Sequence, residues 1–177
     1  MNLSTMQAPC PSAWLVEHSH YIKPGGRVLD VASGAGRNAV WLARQGFRVT
    51  AVDCDAEALA ILKSQAPDIE VQVHDLEQGA WPYVGEYFDA IVVCRYLHRP
   101  LLPVLAGSLA PQGVLVYETF MQGHEQYGRP SNPDFLLKSN ELADTFKPLL
   151  RIAAYEEGLL QPLPNPAVLQ RLVALAL

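Results

Sequence analysis

The sequence predicts an α/β fold: a doubly wound, mostly parallel sheet with helices on both faces. Two observations carry this. Five short runs rich in β-branched residues alternate with stretches of helical spacing, and such alternation implies right-handed βαβ crossovers. A glycine-rich turn also separates the first run from the first helical stretch, in "VLDVASGAGRNA" at residues 28–39, the arrangement in which backbone N–H groups face a ligand.

The runs are "RVLDVA" (27–32), "RVTAVD" (48–53), "IEVQVHD" (69–75), "FDAIVVC" (88–94) and "GVLVYETF" (113–120). Mostly apolar, they suit strands buried on both faces of a parallel sheet. An early helix from Ser12 to about Tyr21 fits the spacing of Trp14, Leu15 and His18. Between the first two strands, Asn38 to Gln45 carries Ala39, Leu42 and Ala43 at helical spacing, with Gly46 as a stop. Asp55 is placed to cap "AEALAILKSQA", with Glu57 in the favourable first turn. "LLPVLAGSL" precedes the fifth strand, and Pro103 limits its regular part to a first turn. Ser139 is the expected cap of "NELADTFKP". In the tail, "RIAAYEEG" (151–158) reads as a strand, whereas "AVLQRLVALAL" (167–177) suits either a helix or a strand antiparallel to it.

With 177 residues, half of them hydrophobic, the chain is expected to form one domain over 12–177, preceded by a flexible segment over 1–11. The formal net charge is -5, and no basic run occurs. Nucleic acid is therefore not expected as a partner. Cys10, Cys54 and Cys94 match no zinc or disulfide frame, and the five histidines lack metal spacing. Neither a secretory signal nor a membrane-length apolar run is evident, so a soluble, reduced, cytoplasmic protein without a metal is expected, as monomer or homodimer.

Gly34 and Gly36 permit backbone angles closed to other residues. With Ala39 they also satisfy the G-x-G-x-x-A pattern of dinucleotide sites. Three carboxylates break the tie. Asp30 stands inside the first strand just before the turn, where it would oppose a pyrophosphate but favour the ammonium and sulfonium of S-adenosylmethionine. Asp53 ends the second strand, where a carboxylate can accept both ribose hydroxyls. Asp75 ends the third, where it can accept from the adenine amino group. All three belong at the carboxyl edge of the sheet, where open α/β folds bind ligands.

On these residues the chain resembles the class I S-adenosylmethionine-dependent methyltransferases, and within them the small bacterial tellurite-resistance/thiopurine methyltransferase-like group. "VLDVASGAGRN" resembles the first motif of that family, "VTAVDCD" the second and "VHDLE" the third, over a resemblance spanning roughly 12–158. Ala32 stands where the family often has glycine. The resemblance implies a Rossmann-like methyltransferase domain whose tail closes the sheet as an antiparallel final strand. It implies a cofactor set of Asp30, Ala32, Gly34, Gly36, Asn38, Asp53, Cys54, Asp75, Leu76 and Cys94, with S-adenosylhomocysteine as product. In related folds the N-terminal segment, here carrying Trp14 and Tyr21, closes over the cofactor.

For the acceptor, the fourth strand ends in "CRYLHRP", so that Arg95, Tyr96 and His98 leave the sheet near the sulfonium. Tyr96 is read as shaping the methyl pocket and His98 as a base or an orienting group. Glu118, inside an apolar strand, needs a partner or a substrate. Residues 121–138 form a long insertion of the kind that makes lids, with His124, Tyr127 and Arg129 able to face a bound molecule and Arg129 suited to an anion. No added recognition domain is visible. A small-molecule acceptor follows: a thiol, an oxyanion of tellurium or selenium, or another small nucleophile. The competing reading is a non-catalytic S-adenosylmethionine-binding sensor or partner subunit.

Overall fold

The computed structural model describes residues 10–177 except Leu163; most of the segment 1–11 lies outside the described residues. Seven strands form one sheet in the order β3-β2-β1-β4-β5-β7-β6. The strands are β1 (Arg27–Val31), β2 (Arg48–Asp53), β3 (Glu70–Val73), β4 (Phe88–Cys94), β5 (Leu109–Phe120), β6 (Arg151–Gln161) and β7 (Ala167–Leu175). β1 pairs in parallel with β2 and with β4. The strand order reverses between β1 and β4, and the crevice at the carboxyl ends of these two strands is where such sheets take their ligands. β7 is antiparallel to both β5 and β6. The tail is thus a strand, as the resemblance implies.

The helices are α1 (Ala13–His18), α2 (Arg37–Arg44), α3 (Ala56–Gln65), α4 (Leu102–Gly107) and α5 (Glu141–Phe146). Strand alternation sorts the core into two layers. Val28, Val92, Val114 and Val116 face one way, against Trp14 and Leu15 of α1, Leu42 of α2 and Leu62 of α3. Leu29, Ile91, Val93 and Leu115 face the other way, against Leu105 of α4 and Phe146 of α5. Each fully buried aliphatic side chain contributes about 2 kcal/mol, so this double layer holds the carboxyl edge rigid.

Local chemistry explains the element ends. Ser12 caps α1 by accepting from the Leu15 N–H, and Asp55 caps α3 by accepting from Glu57 and Ala58. Three expectations need correction. Pro103 does not cut its helix short. It falls in the first turn of α4, where its missing N–H has no intrahelical partner to lose. Ser139 does not cap α5: the N-cap is Asn140, at φ 60°, and the Ser139 hydroxyl donates to Glu157. β3 ends at Val73, so His74 and Asp75 lie just beyond the ladder. No helix is long and apolar enough to cross a membrane among the described residues.

Candidate active site

β1 delivers Asp30 to the crevice. The turn after it runs through Ala32, Gly34 and Gly36, all left-handed at φ 53°, 53° and 80°. At Gly36 an added Cβ would lie 2.3 Å from Leu62, so glycine is required both for conformation and for space. At Gly34 it would meet nothing within 4 Å, because that side of the turn faces the crevice. The Gly34 N–H donates to Asp53 Oδ2 (2.7 Å), while the Asp55 N–H donates to Asp53 Oδ1 (2.9 Å). Asp53 therefore fixes the glycine turn against the end of β2. Gly36 offers α2 no side-chain cap, which leaves first-turn N–H groups of α2 for a ligand.

Two cavities meet at Ala32. The first, about 320 Å³, is lined by Asp30, Gly34, Gly36, Asn38, Cys94 and Arg95, with Arg37 at its wall. The second, also about 320 Å³, is lined by Asp53, Cys54, His74, Asp75, Leu76 and Tyr96. Every residue of the expected cofactor set borders one of the two. Asp30 is 1% exposed and its Oδ2 has no hydrogen-bond partner. Burial pushes its carboxyl up to about 7, against a partial opposing pull from the Ala39 N–H and the Arg37 guanidinium. A buried, partnerless carboxylate oxygen on a cavity wall asks for a cationic ligand group. Burial also pushes the Cys94 thiol up to about 12, so Cys94 is a neutral wall rather than a nucleophile. A larger groove of about 400 Å³, lined by Arg27, Phe47, Arg48, Asp68 and Glu70, lies at the opposite, amino-terminal edge of these strands.

Several expected site residues have other tasks. Asn38, although on the cavity wall, uses Oδ1 to accept the Ser12 N–H (2.9 Å) and so anchors the N-terminal segment. Trp14 is core, with its indole N–H on the Leu172 carbonyl, and Tyr21 is exposed. Asp75 Oδ1 accepts from the Glu77 N–H, leaving its other oxygen free for a nucleobase amine. Glu118 is buried and accepts from the Ser12 hydroxyl (3.2 Å) and Arg171 Nε (2.6 Å). Its partner is structural, the half of the sequence expectation that invoked an ion pair. His124 is also structural. The Val168 N–H donates to its Nδ1 and its Nε2 pairs with the Arg129 carbonyl, with the ring stacked on Phe120.

His98 lines none of these cavities. Tyr96 ends inside the second one, its backbone held by the Tyr117 hydroxyl (2.9 Å), and Leu97 then turns into the core, carrying His98 away towards a 3-10 turn at Arg99–Leu101. Tyr96 Oη is buried without a partner, and burial raises its phenol well above the ordinary range.

A third cavity, about 300 Å³, opens between the 121–138 segment and the β6–β7 hairpin. His124, Tyr127 and Arg129 line it, as does Gln161 of β6, and Arg95 is common to this cavity and the first. Sequence reasoning placed Arg95 at the right edge without giving it a role. Gln161 carries no local signal at all, since only the long pairing of β6 with β7 brings it there.

A switch-point crevice, a glycine turn tied to the second strand's terminal carboxylate, and a closing antiparallel strand define a class I methyltransferase fold. The chain has that fold. Residues 28–113 match the family described as "Methyltransferase domain". A demethylmenaquinone methyltransferase of Renibacterium salmoninarum is 33% identical over 110 residues, covering 59% of this chain and 45% of that protein. The chain thus matches less than half the length of that relative. Among solved structures, TehB from Haemophilus influenzae superposes with a TM-score of 0.75 at 21% identity, covering 92% of this chain and 61% of that one. A TehB-like S-adenosylmethionine-dependent methyltransferase from Corynebacterium glutamicum gives 0.69 at 20% identity, covering 93% and 87%.

Proposed function

We propose that the chain is an enzyme that transfers the methyl group of S-adenosylmethionine to a small-molecule acceptor. The observation that carries this is the unpartnered Oδ2 of the Asp30 carboxylate, buried on the wall of the first cavity. A cofactor ammonium supplies the missing partner, and the adjoining Arg37 faces the cofactor carboxylate. Asp53 keeps lone pairs for the ribose hydroxyls beyond its two backbone bonds, Asp75 takes the adenine amine, and Leu76 packs on the base. When bound, the cofactor supplies an activated methyl on a sulfonium leaving group. The chain's own residues orient it: the Ala32–Gly36 turn sets its depth, and Cys94 and Arg95 close the wall nearest the third cavity.

Neither candidate base is well placed for proton removal. His98 is off the cavities and the Tyr96 phenol is held neutral by burial. The arrangement therefore favours acceptors that are nucleophilic without a base, such as thiolates or oxyanions of tellurium or selenium. The 121–138 segment, held at its far end by Arg99 through the Asp134 and Leu136 carbonyls and Glu141, serves as a lid over the acceptor.

The test is titration calorimetry with S-adenosylhomocysteine on the intact protein. Binding in the micromolar range is expected, lost by tenfold or more in Asp53→Ala, whose carboxylate holds both turn and ribose (about 1.4 kcal/mol or more). No heat at millimolar ligand would sink the reading.

A further inference from the structure

We propose that the third cavity binds the acceptor through an organic carboxylate, and that Arg95 is the residue that selects for it. The inference rests on the methyl-transfer reading and narrows it, from the thiolates and inorganic oxyanions that need no base, to a small organic acid whose carboxylate is a spectator while a nucleophile such as a thiolate takes the methyl.

Arg95 is held in an unusual way. It follows the last residue of β4, at φ 61°, a conformation that costs a non-glycine residue about 1 kcal/mol. Its own N–H donates to the Glu118 carbonyl (2.8 Å), which locks that geometry. The guanidinium lies over the Phe120 ring, 4.5 Å from its centre, and one Nη donates to Gln161 Oε1 (2.9 Å). Phe120 and Gln161 thus fix the fork from two sides, while Nε is buried towards Glu118 and Nη1 makes no hydrogen bond among the described residues. A fixed guanidinium whose Nη edge keeps unused donors is preorganised for a planar two-oxygen anion.

The charge balance agrees. The nearest carboxylate is Glu118, whose Oε1 is 3.9 Å from Arg95 Nε. Glu118 is committed to Arg171 at 2.6 Å, and Arg171 also holds Glu156 at 3.1 Å. Within this cluster Arg95 and Arg171 balance Glu118 and Glu156, and Arg129, on the cavity lining, has no carboxylate within salt-bridge distance among the described residues. The cavity lining contains Arg95 and Arg129 and no acidic side chain. One anionic group restores neutrality.

The size argues for an organic body. The space is about 300 Å³, its lining mostly polar, with Tyr127 and Ala167 as smaller apolar surfaces beside Gln161. An inorganic oxyanion would fill a small part of that volume, whereas a carboxylate with a short ring or chain fills more of it and reaches Tyr127. Because Arg95 also borders the first cavity, an acceptor anchored on it lies directly beside the cofactor's methyl end.

The test uses the intact protein saturated with S-adenosylhomocysteine, titrated with benzoate, benzamide and selenite. Benzoate is expected to bind at least about tenfold tighter than benzamide, a neutral molecule of the same shape, as a charge-assisted pair requires. Arg95→Gln is expected to abolish that preference, and Arg95→Lys to restore it in part. Equal binding of benzoate and benzamide to the wild type overturns the proposal without recourse to any variant. Selenite binding tighter than benzoate overturns the organic-acid assignment, and a preference that survives Arg95→Gln overturns the role of Arg95. If S-adenosylhomocysteine itself fails to bind the wild type, the methyl-transfer reading has failed, and the carboxylate proposal falls with it.

Discussion

Asp30 gives the sharpest test of the cofactor cleft, because its titration couples to binding. Its carboxyl is raised by burial from 3.8 to about 7. A folded pKa above the unfolded one means that the folded protein holds the proton more tightly. This stabilises the fold below about pH 4, and the contribution is lost as pH rises from 4 to 7. Above that range an ionised carboxylate sits buried with its Oδ2 unpartnered, at a cost of about 4 kcal/mol relative to its stability at low pH. An ammonium group at Oδ2 removes that penalty, so only the ionised form binds cofactor well. With a pKa near 7, about nine-tenths of the free protein is ionised at pH 8 and about one-tenth at pH 6. The affinity for S-adenosylhomocysteine should fall about tenfold from pH 8 to pH 6, with nearly one proton released on binding at the lower pH. Calorimetry in two buffers of different ionisation enthalpy reads both quantities. Asp30→Asn should bind more weakly at pH 8, lose the pH dependence, and melt higher than the ligand-free wild type at that pH. An affinity flat across pH 6 to 8, with no proton release, would refute the assignment of Asp30 to the cofactor's cationic end.

Three further outcomes follow from the turn and the buried ion cluster. Gly36→Ala should destabilise the protein by about 2 kcal/mol or more in urea denaturation, since the added methyl meets Leu62 at 2.3 Å on a backbone of φ 80°. Ala32→Gly should be neutral to stabilising by up to about 1 kcal/mol, as relief of the φ 53° strain outweighs the added unfolded-state entropy; a clear loss of stability would show that the Ala32 methyl packs usefully. Arg171→Met, which strands the buried Glu118 carboxylate, should cost about 3 kcal/mol at neutral pH, and much of that should return in the double variant with Glu118→Gln.

That the expected cofactor residues would gather around one crevice was readable in the sequence because its parts are local. Asp30, Gly34 and Gly36 occupy a single strand-turn-helix unit, and Asp53 and Asp75 each follow a β-branched run whose end marks the sheet edge. The surroundings of the proposed acceptor cavity were not readable in the same way. Glu118 could be seen to need a partner, but Arg171 is brought to it only by the register of β5 against β7. His98 lies close in sequence to the crevice and was carried away by one buried leucine. His124 looked available in a long segment, yet both its ring nitrogens serve the backbone. The closing hairpin shows the limit of propensity: "AVLQRLVALAL" is fair helix material, and the vacancy beside β5 makes it a strand.

That hairpin has a consequence for assembly. β7 follows β6 along the chain but lies between β6 and β5. Until β7 slots in, β6 has no neighbour on the sheet, and Gln161 cannot reach Arg95. The Glu118 carboxylate likewise waits for Arg171, and the Val168 N–H for His124. Completion of the proposed acceptor chamber is thus tied to a strand pairing that spans about fifty to sixty residues of chain. A chain arrested one strand short would retain the glycine turn and the crevice beside it while presenting a raw β5 edge and Glu118 without Arg171.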